Sequence, residues 1–198
     1  MRKRFVTISA TLFFLAAVHG ATEEKEIQEL YRRGLAGDKQ AVEQCIARLE
    51  QVLQSQPKNQ LARVYLGSAY TLRSRDLGFG PKKLQALKHG LAVMDQAVTA
   101  APDEPKVRLA RALTTSALPG IFGRRRQSRQ DFEFLAQLAD RAPDRFQRGD
   151  LQLVYYHAGL AAKAAGDRAR AAMLWREGLK HPSDSDLTAK LNAELSGR

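Results

Sequence analysis

The chain contains little cysteine and few aromatic residues. One of its 198 residues is a cysteine, and aromatic residues make up 7% of the sequence. A single thiol excludes an internal disulfide framework and every multi-cysteine zinc site. Cys45 lies on an apolar stripe of helical spacing between Val42 and Leu53, so we expect it in the core. A chain of this length forms one domain with a single core, or an elongated repeat array.

The sequence motifs of common catalytic and metal sites are also missing. The chain has no Gly-x-Ser-x-Gly, His-Glu-x-x-His, Walker loop or Cys-x-x-Cys pattern. His89, His157 and His181 stand far apart and have no ligand spacing to one another. No predicted strand precedes the Gly78–Gly80 segment and no Gly-Lys-Ser sequence follows it, as a phosphate loop would require, so we expect a turn there. We therefore predict no enzymatic activity, no cofactor and no metal.

The sequence also lacks the alternation of apolar and polar residues that marks β-strands. Apolar residues recur instead at helical spacing, and short turns rich in Gly, Pro, Asp or Asn separate the segments. This pattern predicts an all-α chain with about nine helices between Glu23 and Leu195. We expect Asp150 to cap a helix that stops at Gly166, and Ser183 to cap the last helix.

Long apolar runs are absent beyond residue 18, and the run near the N-terminus follows a cationic start. Met1–Arg4 carries three cations, the 14 residues Phe5–Val18 carry no charge, and small residues precede a possible cleavage ahead of Ala21. This order is typical of a secretory signal peptide. At about 1.5 Å per residue the run is too short to cross a ~30 Å membrane core. We predict a cleavable signal peptide at 1–20, a mature domain at 21–198 without a transmembrane segment, and export to the periplasm, with secretion as the alternative.

Small residues recur in a pattern that spans pairs of helices. In the clearest unit, between Tyr155 and Pro182, the phrase Tyr-x-x-Ala-Gly-x-x-Ala is followed by Gly-Asp and by Ala-x-x-x-Trp-x-x-Gly. Related phrases start at Arg63 and Lys106, and prolines at positions 57, 102, 143 and 182 close the units. These phrases resemble the tetratricopeptide repeat (TPR), in which small residues let two antiparallel helices approach closely.

The resemblance covers about residues 25–182 and implies an α-solenoid of antiparallel helix pairs. About four divergent repeats are expected, followed by a capping helix over Ser185–Ser196. The closing prolines are 45, 41 and 39 residues apart, whereas the family's period is about 34. The excess falls in two stretches, Ser74–Pro81 and Leu118–Arg126, each between the first and second helix of a pair. Insertions of this kind emerge at one edge of a solenoid.

Cations gather around both of these stretches. Arginine forks bind carboxylates and phosphates through two hydrogen bonds, so one interpretation is an anionic ligand such as a lipid head group or acidic polysaccharide. The other interpretation is that the cations only solvate a loop at the start of a helix near Gln127. If both stretches leave the same edge, their cations form one patch beside Phe79 and Phe122. The predicted basic edge patch comprises Arg73, Arg75, Lys82, Lys83, Arg124, Arg125, Arg126 and Arg129.

The TPR resemblance also implies a concave groove, lined by the first helix of each pair, that binds protein segments. The residues expected to face this groove are Val64, Ser68, Thr71, Val107, Arg111, Thr114, Tyr156, Leu160 and Lys163. Their mixture of aliphatic and hydroxyl side chains fits an amphipathic helix or an extended segment.

Two functions follow as expectations. The first is an exported scaffold or adaptor for protein–protein interactions in a bacterial cell-envelope complex, and the alternative is a binding module for an anionic ligand. The net charge of +11 also suggests nucleic acid, but export and the scarcity of aromatic platforms argue against that partner. Removal of Arg2, Lys3 and Arg4 would leave 29 cations against 21 anions, or +8.

Overall fold

The described part of the chain, residues 23–197 of a computed structural model, consists of nine helices and the turns between them, without a β-strand. The helices are α1 (residues 23–35), α2 (Lys39–Ser55), α3 (Gln60–Asp76), α4 (Pro81–Ala100), α5 (Pro105–Ser116), α6 (Arg125–Arg141), α7 (Arg148–Ala164), α8 (Arg168–Leu179) and α9 (Ser185–Ser196). Short 3₁₀ turns lie at Gly120–Phe122 and Pro143–Arg145. The all-α prediction is confirmed, and the predicted signal peptide at 1–20 lies outside the described residues.

Side-chain oxygens cap four of the helices at their N-termini. Asp38, Asn59, Asp167 and Asp184 each accept a hydrogen bond from the backbone N–H three residues further on, at 2.9–3.0 Å. Such caps satisfy backbone donors that have no partner inside the helix. Gly166, which follows α7, has a φ of +87°, so the predicted glycine stop is confirmed.

Two of the predicted caps were wrong by a few residues. Helix α7 begins two residues before Asp150, which therefore lies in its first turn. The backbone N–H of Gln147 opposes the rise in the pKa of Asp150 that burial causes, as expected for a carboxylate in the first turn of a helix. Asp184 rather than Ser183 caps α9, because the Ser183 hydroxyl donates to Gln152 Oε1 at 2.9 Å.

The helices pack as pairs, α3 with α4, α5 with α6 and α7 with α8, and each pair contacts the next. Four apolar clusters follow one another along the described chain in place of one central core. Cys45 is 1% exposed in the first cluster, as predicted, and burial raises the pKa of its thiol to about 11. Stacked pairs with a core shared between neighbours define an α-solenoid.

Glycines allow two of these pairs to approach closely. A Cβ atom on Gly67 of α3 would lie 2.6 Å from the carbonyl oxygen of Gly90 in α4. A Cβ atom on Gly159 of α7 would lie 2.1 Å from Nε1 of Trp175, which donates to the carbonyl of Tyr156 at 3.1 Å. The prediction that small residues bring the paired helices together is confirmed at both places.

The last helix is held to the array by a buried amide. Gln152 of α7 is fully buried, and its Oε1 accepts hydrogen bonds from the backbone N–H groups of Ser183 and Asp184. Its Nε2 donates to Thr188 Oγ1 at 2.8 Å. Leu191 of α9 is fully buried in the same region, so α9 covers the end of the last pair as expected of a capping helix.

Replacing Gly67 by alanine is expected to destabilise the protein, although alanine is the better helix former. The added methyl group would lie 2.6 Å from Gly90 O and 2.8 Å from the backbone nitrogen of Met94, and neither backbone can move freely. Overpacking of this kind lowers the free energy of unfolding by roughly 1–3 kcal/mol. Urea unfolding followed by circular dichroism measures the change. Gly78→Ala is the matched control, since nothing lies within 4 Å of its Cβ position, and equal losses in both variants would contradict the close contact.

Candidate functional site

Five of the nine residues predicted to face a groove are buried. They are Val64, Ser68, Thr71, Val107 and Arg111, each 8% exposed or less. Their expected exposure to a partner was wrong, because these side chains pack between neighbouring helices of the array. Val64 and Val107, for example, share one apolar cluster between α3 and α5. They therefore hold successive pairs together.

The remaining four predicted groove residues retain exposed surface. Thr114, Tyr156 and Leu160 are half-buried, and Lys163 is exposed. The Lys163 ammonium pairs with Glu194 of α9 at 2.7 Å and lies 5.7 Å from the centre of the Trp175 ring. Contact of these four residues with a partner stays a prediction.

A chain of hydroxyl groups crosses the first helices of three successive pairs. Tyr31 of α1 lies 2.7 Å from Ser68 of α3, and Ser68 lies 2.8 Å from Thr114 of α5. The Thr114 hydroxyl donates to the carbonyl of Ala110 at 2.8 Å. Because each hydroxyl has one hydrogen, Ser68 donates to Thr114 and Tyr31 donates to Ser68. Ser68 and Thr114, two of the hydroxyl residues expected in a groove, thus help to fix the spacing of α1, α3 and α5.

The surface beside this chain of hydroxyls carries both aromatic and charged groups. The rings of Tyr31 and Tyr65 meet edge to face, with centroids 5.2 Å apart. Burial raises the pKa of Tyr65. Three neighbouring groups raise it further: the side chain of Tyr31 and the carboxylates of Asp150 in α7 and Glu24 in α1. Burial likewise raises the pKa of Asp150, whereas the nearby Lys106 of α5 lowers it.

These five residues, Glu24, Tyr31, Tyr65, Lys106 and Asp150, form what we call the concave site. They come from α1, α3, α5 and α7, and they are close enough for their charges to influence one another. The sequence prediction missed all five. Tyr65 lies three residues before Ser68 on the same helical face, so that spacing could have indicated it. Tyr31 and Glu24 lie in the degenerate first repeat, where the sequence gives no register.

Part of the predicted basic patch belongs to a buried network of charges. Asp131 of α6 is 1% exposed and accepts hydrogen bonds from Arg108 Nη1 at 2.8 Å and from Arg111 Nε at 2.9 Å. Arg111 and Arg124 also donate to Asp95 of α4, at 3.1 Å and 2.8 Å. We call these five residues the charge network. It joins α4, α5 and α6, so Arg124 is not available to an anionic ligand and Arg111 does not face a groove.

Three cations of the first inserted stretch are also occupied within the protein. Arg73 pairs with Glu43 of α2. Arg75 donates to the carbonyl oxygens of Gly34 and Leu35, and Lys83 donates to another backbone carbonyl. These side chains connect the stretch to its neighbours, which corrects their assignment to a free anion-binding surface.

Four exposed cations of the predicted patch take part in none of the ion pairs formed within residues 23–197, and we call them the edge cations: Lys82, Arg125, Arg126 and Arg129. Helix α6 begins at Arg125 rather than near Gln127, so two of them lie in its first turn. A cation there opposes the helix dipole by roughly 0.3–1 kcal/mol. Large apolar side chains stand beside them: Phe79 is fully exposed and Ile121 is 89% exposed.

His157 has the geometry of a packed side chain. Its ring stacks on Phe132 with centroids 5.0 Å apart, and burial, helped by Lys190, lowers its pKa to about 4. Within residues 23–197 no three His, Cys, Asp or Glu residues lie close enough together to hold a metal ion. In the same range, no helix has the length and apolar character needed to span a bilayer.

Comparison with known proteins identifies the class of fold. TTC0263, a thermophilic TPR protein from Thermus thermophilus, superposes with a TM-score of 0.60 over 86% of this chain and 81% of that chain, at 17% sequence identity. The chain therefore has a TPR-like fold, an all-α solenoid of helix pairs, as the small-residue phrases predicted. No protein-family model matches the sequence, and no curated protein matches it either.

Replacing Asp131 by asparagine is expected to lower the free energy of unfolding by roughly 3–5 kcal/mol. The side chain keeps its shape, but the guanidinium groups of Arg108 and Arg111 lose their shared buried counterion. Thermal and urea unfolding measure the loss. Asp144→Asn removes an exposed carboxylate and serves as the control, with an expected change within about 0.5 kcal/mol. Equal stability of the Asp131 variant and the wild type would contradict a stabilising role for the network.

Proposed function

We propose that this protein is a helical-repeat scaffold that binds segments of partner proteins at the concave site. The observation that carries the proposal is that hydrogen bonds join Tyr31 of α1, Ser68 of α3 and Thr114 of α5, so these helices lie side by side in the TPR-like array. Asp150 of α7 is close enough to Tyr65 and Lys106 for their charges to shift pKa values. Stacked helix pairs create an extended concave surface, and extended or helical segments dock on such surfaces.

The chemistry of the concave site suggests what such a segment carries. Lys106 offers an exposed cation, and the half-buried Asp150 offers a carboxylate close to it. The half-buried rings of Tyr31 and Tyr65 offer apolar surface. A segment with an apolar side chain flanked by one acidic and one basic residue would contact all of these groups. Because Asp150 is partly desolvated, an ion pair with it contributes more than a pair at a fully exposed position.

Site-specific crosslinking in the native host tests this function. A photo-crosslinking residue at Lys106 is expected to capture one or a few partner proteins, which mass spectrometry identifies. The same residue at Lys58, an exposed position between α2 and α3, is the control and is expected to capture none of them. Asp150→Lys in the Lys106-labelled protein should lower the capture severalfold. Equal capture from both positions would contradict a role for the concave site.

We further propose that the protein is exported and acts in the bacterial cell envelope. The cationic start Met1–Arg4 and the uncharged run Phe5–Val18 support this localisation. Fractionation of the host and N-terminal sequencing are expected to recover a chain that begins at Ala21 outside the cytoplasm. Leu12→Arg should block processing because it interrupts the apolar run, whereas Gln28→Arg adds the same charge outside it and should not. Recovery of the unprocessed wild-type chain in the cytoplasm would contradict export.

A further inference from the structure

Two connections between paired helices expose large apolar side chains that pack against nothing in the described structure. Phe79 in the α3–α4 connection is fully exposed, and Ile121 in the α5–α6 connection is 89% exposed. Phe122 and Leu84, next to them in sequence or on the following helix, are 36% and 46% exposed. Apolar surface of this kind costs solubility, and it commonly marks a contact with another molecule.

The edge cations lie close to these side chains in sequence. Arg125, Arg126 and Arg129 follow Ile121 within eight positions, and Lys82 follows Phe79 by three. All four cations are exposed, and among the ion pairs formed by residues 23–197 none involves them. Arg124, in the same sequence cluster, differs from them because it forms an ion pair with Asp95. Each of the two exposed apolar side chains therefore has exposed cations without an ion pair close to it in sequence, although cations such as Lys58, Arg141 and Arg176 are also exposed elsewhere.

Both connections leave the same edge of the array. Ser68 of α3 contacts Thr114 of α5, and Val64 shares an apolar cluster with Val107. Val64 precedes Ser68, and Val107 precedes Thr114, so α3 and α5 run in the same direction. The C-terminal ends of the two helices, from which the connections start, therefore point to the same side.

We propose that this edge, with Phe79 and Ile121 at its tips, is a peripheral binding surface for an anionic lipid bilayer. Phe79 and Ile121 enter the interfacial region, and the edge cations contact the phosphate groups of the lipids. A protein partner would have to cover two separate apolar tips with two shaped pockets. A lipid surface conforms to separate tips and supplies negative charge around each one. The concave site lies on the first helices rather than on these connections, so the surface adds to the proposed scaffold function.

Vesicle binding tests the electrostatic part of the proposal. The wild-type chain is expected to bind vesicles with about one third phosphatidylglycerol at least roughly tenfold more tightly than vesicles of phosphatidylcholine alone. Reversal of the three arginines in R125E/R126E/R129E should remove that difference. The control K58E/R141E/R176E changes the same charge at exposed positions away from this edge and should lower binding less than about threefold. All variants are compared as chains that begin at Ala21, so that the apolar run Phe5–Val18 does not contribute to binding. Equal losses in both triple variants would overturn the proposal.

A second pair of variants tests insertion of the apolar tips. F79S/I121S leaves the charge unchanged and is expected to weaken binding to the anionic vesicles by roughly fivefold or more, because exposed apolar area is lost from the interface. Met173→Ser, at an exposed position of α8 that is 67% accessible, is the control and should bind as the wild type does. Unchanged binding of F79S/I121S would overturn insertion and indicate a purely electrostatic contact with an acidic chain. Insertion would also be overturned if soluble polyglutamate competed for the protein as effectively as anionic vesicles do.

Fluorescence locates the contact directly. The chain has one native tryptophan, Trp175, which is 4% exposed in the core. In the Ile121→Trp variant, brominated phosphatidylglycerol vesicles are expected to quench part of the tryptophan emission. The same vesicles are expected to cause no such quenching in the wild type. No additional quenching at position 121 would overturn the proposal. Unfolding curves that match the wild type show that each variant is folded, as expected for substitutions at exposed positions.

Discussion

The alignment of the helix pairs depends on the buried carboxylate of Asp131. Apolar contacts between α4, α5 and α6 favour burial but do not fix how far one helix slides along another. The Asp131 carboxylate accepts hydrogen bonds from the guanidinium groups of Arg108 and Arg111 at 2.8–2.9 Å. Arg111 and Arg124 in turn donate hydrogen bonds to the carboxylate of Asp95. These bonds are directional, and any other register would leave buried charges without partners. The network therefore favours the observed register of α4, α5 and α6.

The same network explains how the arginines of one sequence cluster acquire different roles. Arg124 lies within reach of Asp95 and joins the interior, whereas Arg125 and Arg126 enter the first turn of α6 and point to solvent. Their placement opposes the helix dipole, so the helix itself gives no reason for them. These arginines thus differ in role because only Arg124 lies close enough to Asp95 to form an ion pair, whereas Arg125 and Arg126 face solvent.

The local features of the fold could be predicted from the sequence, and the contacts between distant residues could not. Glycine spacing identified the close helix contacts of Gly67 and Gly159, because a small residue within a helix leaves room at a defined position. The groove residues Val64 and Val107 were misjudged, since their burial depends on how tightly successive pairs stack. Asp131 lies 20 residues from Arg111, and no sequence pattern links the two. The concave site was missed for the same reason.

The two inserted stretches explain why the repeat is longer than that of the TPR family. Phe79 and Ile121 contribute nothing to the apolar clusters, whereas Leu118 and Arg124 of the same stretches contact the interior. The side chains of Phe79 and Ile121 are large and apolar, whereas an insertion that only connects two helices would be small and polar. The concave site uses the first helices of the pairs, and the insertions use one edge. A scaffold built in this way can hold a protein segment on one surface while the other remains against a membrane, because no residue is shared between the two.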